Sequence, residues 1–91
     1  MIDPKQLAEL ERQHNLPAGI LAAQQQIESA GNPNAVSPKG ALGIAQFMPD
    51  TAKAYGIDPL DPVQASYGQA KMMADLAKQY NNDIPTMPAL S

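Results

Sequence analysis

Residues 27–49 read IESAGNPNAVSPKGALGIAQFMP, and no other stretch restricts the fold as strongly. Gly31, Pro33, Pro38, Gly40 and Gly43 fall too close together for a regular helix or strand to run through them. The segments on either side carry apolar residues at spacings of three and four, so the chain reads as helices gathered around an ordered, irregular loop. A carboxylate, Glu28, stands at the end of the helical run that enters the loop. The helix macrodipole disfavours an anion there, and local conflicts of this kind concentrate at functional sites. The competing reading is a solvated glutamate that merely tolerates its position.

The length of 91 residues allows one small domain, and a chain of this size buries about 60–65% of its unfolded surface. Aromatic residues are few: Phe47, Tyr55, Tyr67 and Tyr80, with no Trp. The core therefore has to be built from Ala, Leu, Ile and Met, which suits closely packed helices. The net charge of −3 is spread without runs of either sign, which argues against a nucleic-acid partner because no basic face can form. No apolar run approaches the ~20 residues of a membrane span, and the first fifteen residues lack the apolar centre of a signal peptide. Without cysteine there is neither a disulfide nor thiolate chemistry, and with His14 as the single histidine a metal centre is not expected; no cofactor is implied.

Taken in order, Asp3, Pro4 and Gln6 form a capping box opening a helix over residues 3–15, with Leu7, Leu10 and His14 on one face. A second helix is expected over 17–30, starting at Pro17, with Ile20, Ala23 and Ile27 inward and Gly31 ending it. Glu28 lies seven residues after Leu21 and four after Gln24, at the edge of that stripe. Residues 32–42 read as turns, and the apolar 41–48 as a short buried helix. Pro49 opens another helical piece that stops at Gly56. Asp61 and Pro62 repeat the opening device, starting a long helix with Val63, Tyr67, Ala70, Met73 or Ala74, Ala77 and Tyr80 inward. The neighbouring Met72 and Met73 read as core filler rather than a binding surface. Residues 84–91 hold two prolines and read as an irregular tail. No strand alternation appears, so the expected class is all-α, in one domain over residues 1–91.

A lone carboxylic acid desolvated against Leu21 and Ile27 would have a raised pKa and could donate a proton to a leaving oxygen, the general-acid role in glycoside cleavage. A second acid is usual in such chemistry. Here Asp50, Asp58 and Asp61 each have a simpler explanation as turn or cap residues, so a one-acid mechanism fits better.

The sequence resembles the soluble lytic transglycosylase family, a lysozyme-like all-α group. The resemblance rests on Glu28-Ser29, Asn32-Pro33, Ser37, Gly40-Ala41, residues 43–46 reading GIAQ, Met48-Pro49 and Thr51-Ala52, then Asp58-Pro59, Asp61-Pro62 and Gly68, and it covers about residues 16–83. It implies a peptidoglycan lyase that cuts the β-1,4 bond between N-acetylmuramic acid and N-acetylglucosamine and leaves a 1,6-anhydro end, with Glu28 as acid and then base. It also implies glycan-binding roles for Ser37 and Gln46, with Met48 and the backbone near Phe47 on the cleft floor and Gly40 and Gly43 as backbone devices of the loop. On the residues alone, Ser37 can equally cap a local turn and Gln46 can be a helix-surface amide.

Two departures stand out. The family's GLMQ is GIAQ here, and the tyrosine-bearing ALAAYNAG-like motif expected after residue 84 has no match. The chain therefore reads as a shortened domain, with an apolar face exposed along 63–80 or 20–27 that favours self-association or a partner chain. A glycan-binding or structural module without catalysis, and a hydrolase resembling goose-type lysozyme, are the alternatives. A peptidoglycan substrate points to a periplasmic, extracellular or phage-particle setting.

Overall fold

A computed structural model describes residues 2–79. Four helices pack around one core: α1 (Pro4–Gln13), α2 (Ile20–Ser29), α3 (Pro49–Tyr55) and α4 (Pro62–Gln79). No strand is present among the described residues, in keeping with the all-α lysozyme-like class. The expectations for Tyr80 and for the 84–91 tail lie outside the described residues.

The opening of α1 is as read from the sequence. Asp3 Oδ1 accepts from Lys5 N at 2.8 Å, and Gln6 Oε1 accepts from Asp3 N at 3.0 Å. The start of α2 differs. Gly19 has φ +86, a left-handed conformation that excludes it from a right-handed helix, so α2 begins at Ile20 rather than Pro17. A residue of α1 satisfies the orphan N–H groups there: the Glu11 carboxylate, 5% exposed, accepts from Gly19 N and Leu21 N at 3.0 Å each.

The inward face of α2 is also corrected. Leu21 and Gln25 are buried, while Ala23 is exposed and Ile27 is 77% exposed. Apolar periodicity misplaced the phase because the residue entering the core four positions after Leu21 is an amide. Gln25 Nε2 donates to Ser66 Oγ and Gln69 Oε1, both at 2.8 Å, and Gln69 Nε2 donates to Leu21 O at 3.3 Å. Ser66 Oγ in turn donates to Pro62 O at 2.7 Å. Every buried side-chain polar atom among the described residues has a partner, so this network crosses the core between α2 and α4 without an orphaned group.

α4 is buried around much of its circumference through Ala65, Ser66, Gly68, Gln69, Ala70, Met72, Met73 and Ala77. The methionine pair is core, as expected. Tyr67 is not: it is 54% exposed, and Val63 is half-buried. Small residues fill the interior face instead, because other segments approach closely; a Cβ on Gly68 would stand 2.6 Å from Ile57 Cδ1. α3 ends at Gly56 as expected, and Tyr55 Oη donates to Asp75 Oδ2 at 3.2 Å to join α3 to α4.

Residues 41–48 are not a helix. Leu42 N donates to Phe47 O at 2.8 Å and Phe47 N to Leu42 O at 3.0 Å, closing a tight turn. Gly43 at φ +79 and Gln46 at φ +55 break any helical ladder, yet Ile44, Ala45 and Phe47 are buried. The apolar run thus reports burial of a turn rather than a helical period.

Glu11→Ala removes the acceptor of two N–H groups, one of them in a buried bond, and is expected to lower stability by about 3 kcal/mol in urea denaturation. A loss below about 1 kcal/mol would mean that water replaces the carboxylate without cost.

Candidate active-site groove

Because Leu21, Gln25, Glu28 and Ser29 share one flank of α2, the rotation that buries Leu21 and Gln25 carries Glu28 to the core's margin, where it is half-exposed. There it lines an open groove of about 430 Å³ together with Ser37, Pro38, Lys39, Ala41 and Gln46. Ser29 joins the end of α2 to the loop: its Oγ lies 2.7 Å from Ile44 O and 3.0 Å from Gln25 O, both acceptors.

Burial raises the Glu28 pKa above its usual 4.5, and a hydrogen bond from Gln24 opposes the rise. Gln24 Nε2 donates to Glu28 Oε1 at 3.1 Å, across one helical turn. The groove thus holds a carboxyl group whose pKa is raised above its usual value by partial burial, with one oxygen steadied by an amide. That is a geometry suited to giving up a proton and recovering it.

Ser37 and Gln46 come to the same groove, although neither hydrogen-bonds Glu28. Ser37 caps its turn: Ser37 N donates to Ala41 O, and Ala41 N to Ser37 Oγ, both at 2.9 Å. The hydroxyl oxygen is engaged as an acceptor, which leaves its O–H free to donate. Gln46 is buried rather than a helix-surface amide. Its Nε2 donates to Gly43 O at 2.8 Å and Ala35 O at 3.1 Å. Its Oε1 meets no donor among the described residues and, since no buried polar atom there is unpartnered, is reached by solvent. Each residue therefore spends one function on the loop and keeps the other available.

Phe47 is a core residue, with 0% exposure and its ring 6.5 Å from that of Tyr55, so its side chain cannot touch a ligand. Met48, half-buried, leads into α3 with its carbonyl accepting from Ala52 N, and it is not among the groove-lining residues. Gly43 is obligatory where it stands: a Cβ would lie 1.7 Å from Pro59 O, on top of the positive φ. Gly40, at φ +93, closes the turn that carries Lys39.

Glu28 is the one carboxylate among the described residues lining the groove. Asp58 and Asp61 are occupied in turns, accepting from Leu60 N at 3.0 Å and Val63 N at 2.9 Å. Among the described residues no three or more His, Cys, Asp or Glu converge on a metal site. Gln24, which bonds Glu28, and Lys39, which lines the groove, are polar residues to which sequence reasoning gave no role. The four-residue spacing of Gln24 from Glu28 was the available signal for the first.

Residues 6–89 match the family described as Transglycosylase SLT domain. The chain is 39% identical over 71 residues to the transglycosylase of Enterobacteria phage PRD1, covering 77% of this chain and 27% of that protein. It is 44% identical over 66 residues to membrane-bound lytic murein transglycosylase F of Shewanella loihica, covering 71% of this chain and 14% of the relative. A second membrane-bound lytic murein transglycosylase F, from Alkalilimnicola ehrlichii, is 37% identical over 76 residues, covering 82% and 17%. The chain thus spans about a quarter or less of the length of these curated relatives.

The raised pKa makes a stability prediction whose sign is fixed. The folded state holds the Glu28 proton more tightly than the unfolded chain, so wild-type stability falls as pH rises from the usual 4.5 through the raised folded value. Glu28→Gln escapes this loss. It is expected to melt at or above the wild-type temperature near neutral pH, with the gap closing below 4.5. Circular dichroism melts of both proteins across that range check it, and a wild type more stable at neutral pH contradicts it.

Proposed function

The chain belongs to the transglycosylase SLT-domain family, and from that premise we propose that it is a lytic transglycosylase module acting on peptidoglycan, with Glu28 as its sole acid and base. The bond opened is the β-1,4 linkage between N-acetylmuramic acid and N-acetylglucosamine. Glu28, protonated, donates to the glycosidic oxygen as the C1–O bond breaks. The resulting carboxylate removes the proton of the muramic acid C6 hydroxyl, whose oxygen bonds to C1 and closes a 1,6-anhydro ring. The proton returns to Glu28, so no water is consumed. The internal hydroxyl replaces an activated water at high effective concentration, which is why one carboxyl suffices.

The observation that carries this reading is a single, partly desolvated carboxyl lining a groove whose other polar lining residues are Ser37, Gln46 and Lys39. In the proposed complex the Ser37 O–H and the Gln46 Oε1 bind the hydroxyl and acetamido groups of the sugar over Glu28. Phe47, fully buried, does not touch the glycan with its side chain. A peptidoglycan substrate places the action in the periplasm, outside the cell or in a phage particle. No helix among the described residues is long and apolar enough to cross a membrane.

Incubation with purified sacculi is expected to release muropeptides with 1,6-anhydro ends, identified by mass spectrometry. Glu28→Gln should reduce the rate at least about 100-fold, the contribution of a positioned acid–base group. Reducing ends in place of anhydro ends would indicate a hydrolase. Sedimentation with sacculi but no release by the wild type would indicate a binding module.

A further inference from the structure

Lys39 is the single basic residue among the described groove-lining residues. Among the described residues no carboxylate lies within ion-pair distance of it; the ion pair present, Arg12 with Glu9, is on α1. Three hydrogen bonds hold the turn beneath it: Gly40 N to Ser37 O, Ser37 N to Ala41 O, and Ala41 N to Ser37 Oγ, all at 2.9 Å. Pro38 adds a fixed φ immediately before it. The backbone is therefore in place before any ligand arrives, and binding has to order only one side chain.

The chain carries a net charge of −3, and peptidoglycan carries carboxylates, so the two repel unless the groove supplies a local positive charge. On the muramic acid ring the substituent at O3 is a lactyl group. It ends in a free carboxylate on peptide-free strands and in an amide-linked peptide, itself bearing carboxylates, on substituted ones. N-acetylglucosamine has no such group. We propose that Lys39 is a specificity-determining residue that pairs with a carboxylate borne on the muramic acid O3 substituent, and so selects which sugar stands beside Glu28. This rests on the functional reading above. It goes beyond that reading by assigning the discrimination between the two sugars to a charge rather than to shape. Because burial favours the protonated form of Glu28, the acid in the same groove opposes this pairing less than an ordinary glutamate would.

The test is calorimetric binding in a Glu28→Gln background, so that no ligand is cleaved, with position 39 wild type, Lys39→Met or Lys39→Arg, of three ligands: peptide-free muramic acid–glucosamine oligomers, their peptide-bearing counterparts, and neutral N-acetylglucosamine oligomers of equal length. Lys39→Met should weaken the carboxylate-bearing ligands by about 1.4- to fivefold, the range for an exposed ion pair, and leave the neutral oligomer unchanged. Lys39→Arg should retain the affinity of the Lys39 protein, and added salt should weaken the Lys39 protein but not Lys39→Met. Loss with the peptide-free oligomer identifies the lactyl carboxylate as the partner; loss confined to the peptide-bearing one identifies the peptide. Equal weakening of all three ligands, or none, overturns the assignment while leaving the glycan site intact. Failure of the Lys39 protein to bind any of them removes the functional reading and this one with it.

Discussion

Gln25 decides which way α2 faces. Its amide reaches Ser66 and Gln69 of α4 inside the core, while the Gln69 amide returns to Leu21 O on α2. A polar network in a low-dielectric interior tolerates little misalignment, because any bond lost leaves a buried group unsatisfied. That intolerance sets the rotation of α2. Once Leu21 and Gln25 are inward, Glu28 and Ser29 must fall at the margin, one lining the groove and the other bonded to the loop at Ile44. An apolar residue at position 25 could slide or turn against α4; an amide with two fixed partners cannot do so cheaply. Glu11 acts in the same sense from the other end, holding the first N–H groups of α2 so that the helix is anchored at both termini.

The opposite wall of the groove is irregular backbone held by side chains and by glycine. Gly43 lets the loop pass against Pro59, where any Cβ would collide. Gln46, in a left-handed conformation, turns its amide inward onto the carbonyls of Ala35 and Gly43. Left-handed backbone at a residue other than glycine costs about 1–2 kcal/mol, which the two hydrogen bonds and the burial of Ile44, Ala45 and Phe47 offset. The outcome is a loop that brings Ser37, Lys39 and Gln46 to the groove that Glu28 lines. Glu28 itself is left in an unfavourable place, at the C-terminal end of a helix and partly out of water, which is the condition that favours its protonated form.

Much of this was legible in the residues. Caps built from Asp, Pro and Gln are local devices, and those at Asp3 and Asp61 form much as the sequence indicates. Glu28 was picked out by type and position and Ser37 and Gln46 by the family resemblance, and all three line one groove. The errors share a cause. The phase of α2, the inward face of α4 and the supposed helix over 41–48 were all inferred by counting apolar residues. The core here admits Gln25, Ser66 and Gln69, and it buries a turn. Amides that pair over 41 to 48 residues of sequence leave no periodic trace, and neither does a glutamate capping a helix other than its own. The expectation at Phe47 concerned its backbone; its ring belongs to the core.

The central claim is that partial burial at the groove raises the Glu28 pKa above its ordinary value, and site-resolved carbon NMR of its side-chain carboxyl through a pH titration tests this most directly. A midpoint above 4.5 is the predicted result. A midpoint at or below that value would mean that water or a donor stabilises the charge, and Glu28 would then not hold the proton that the chemistry requires.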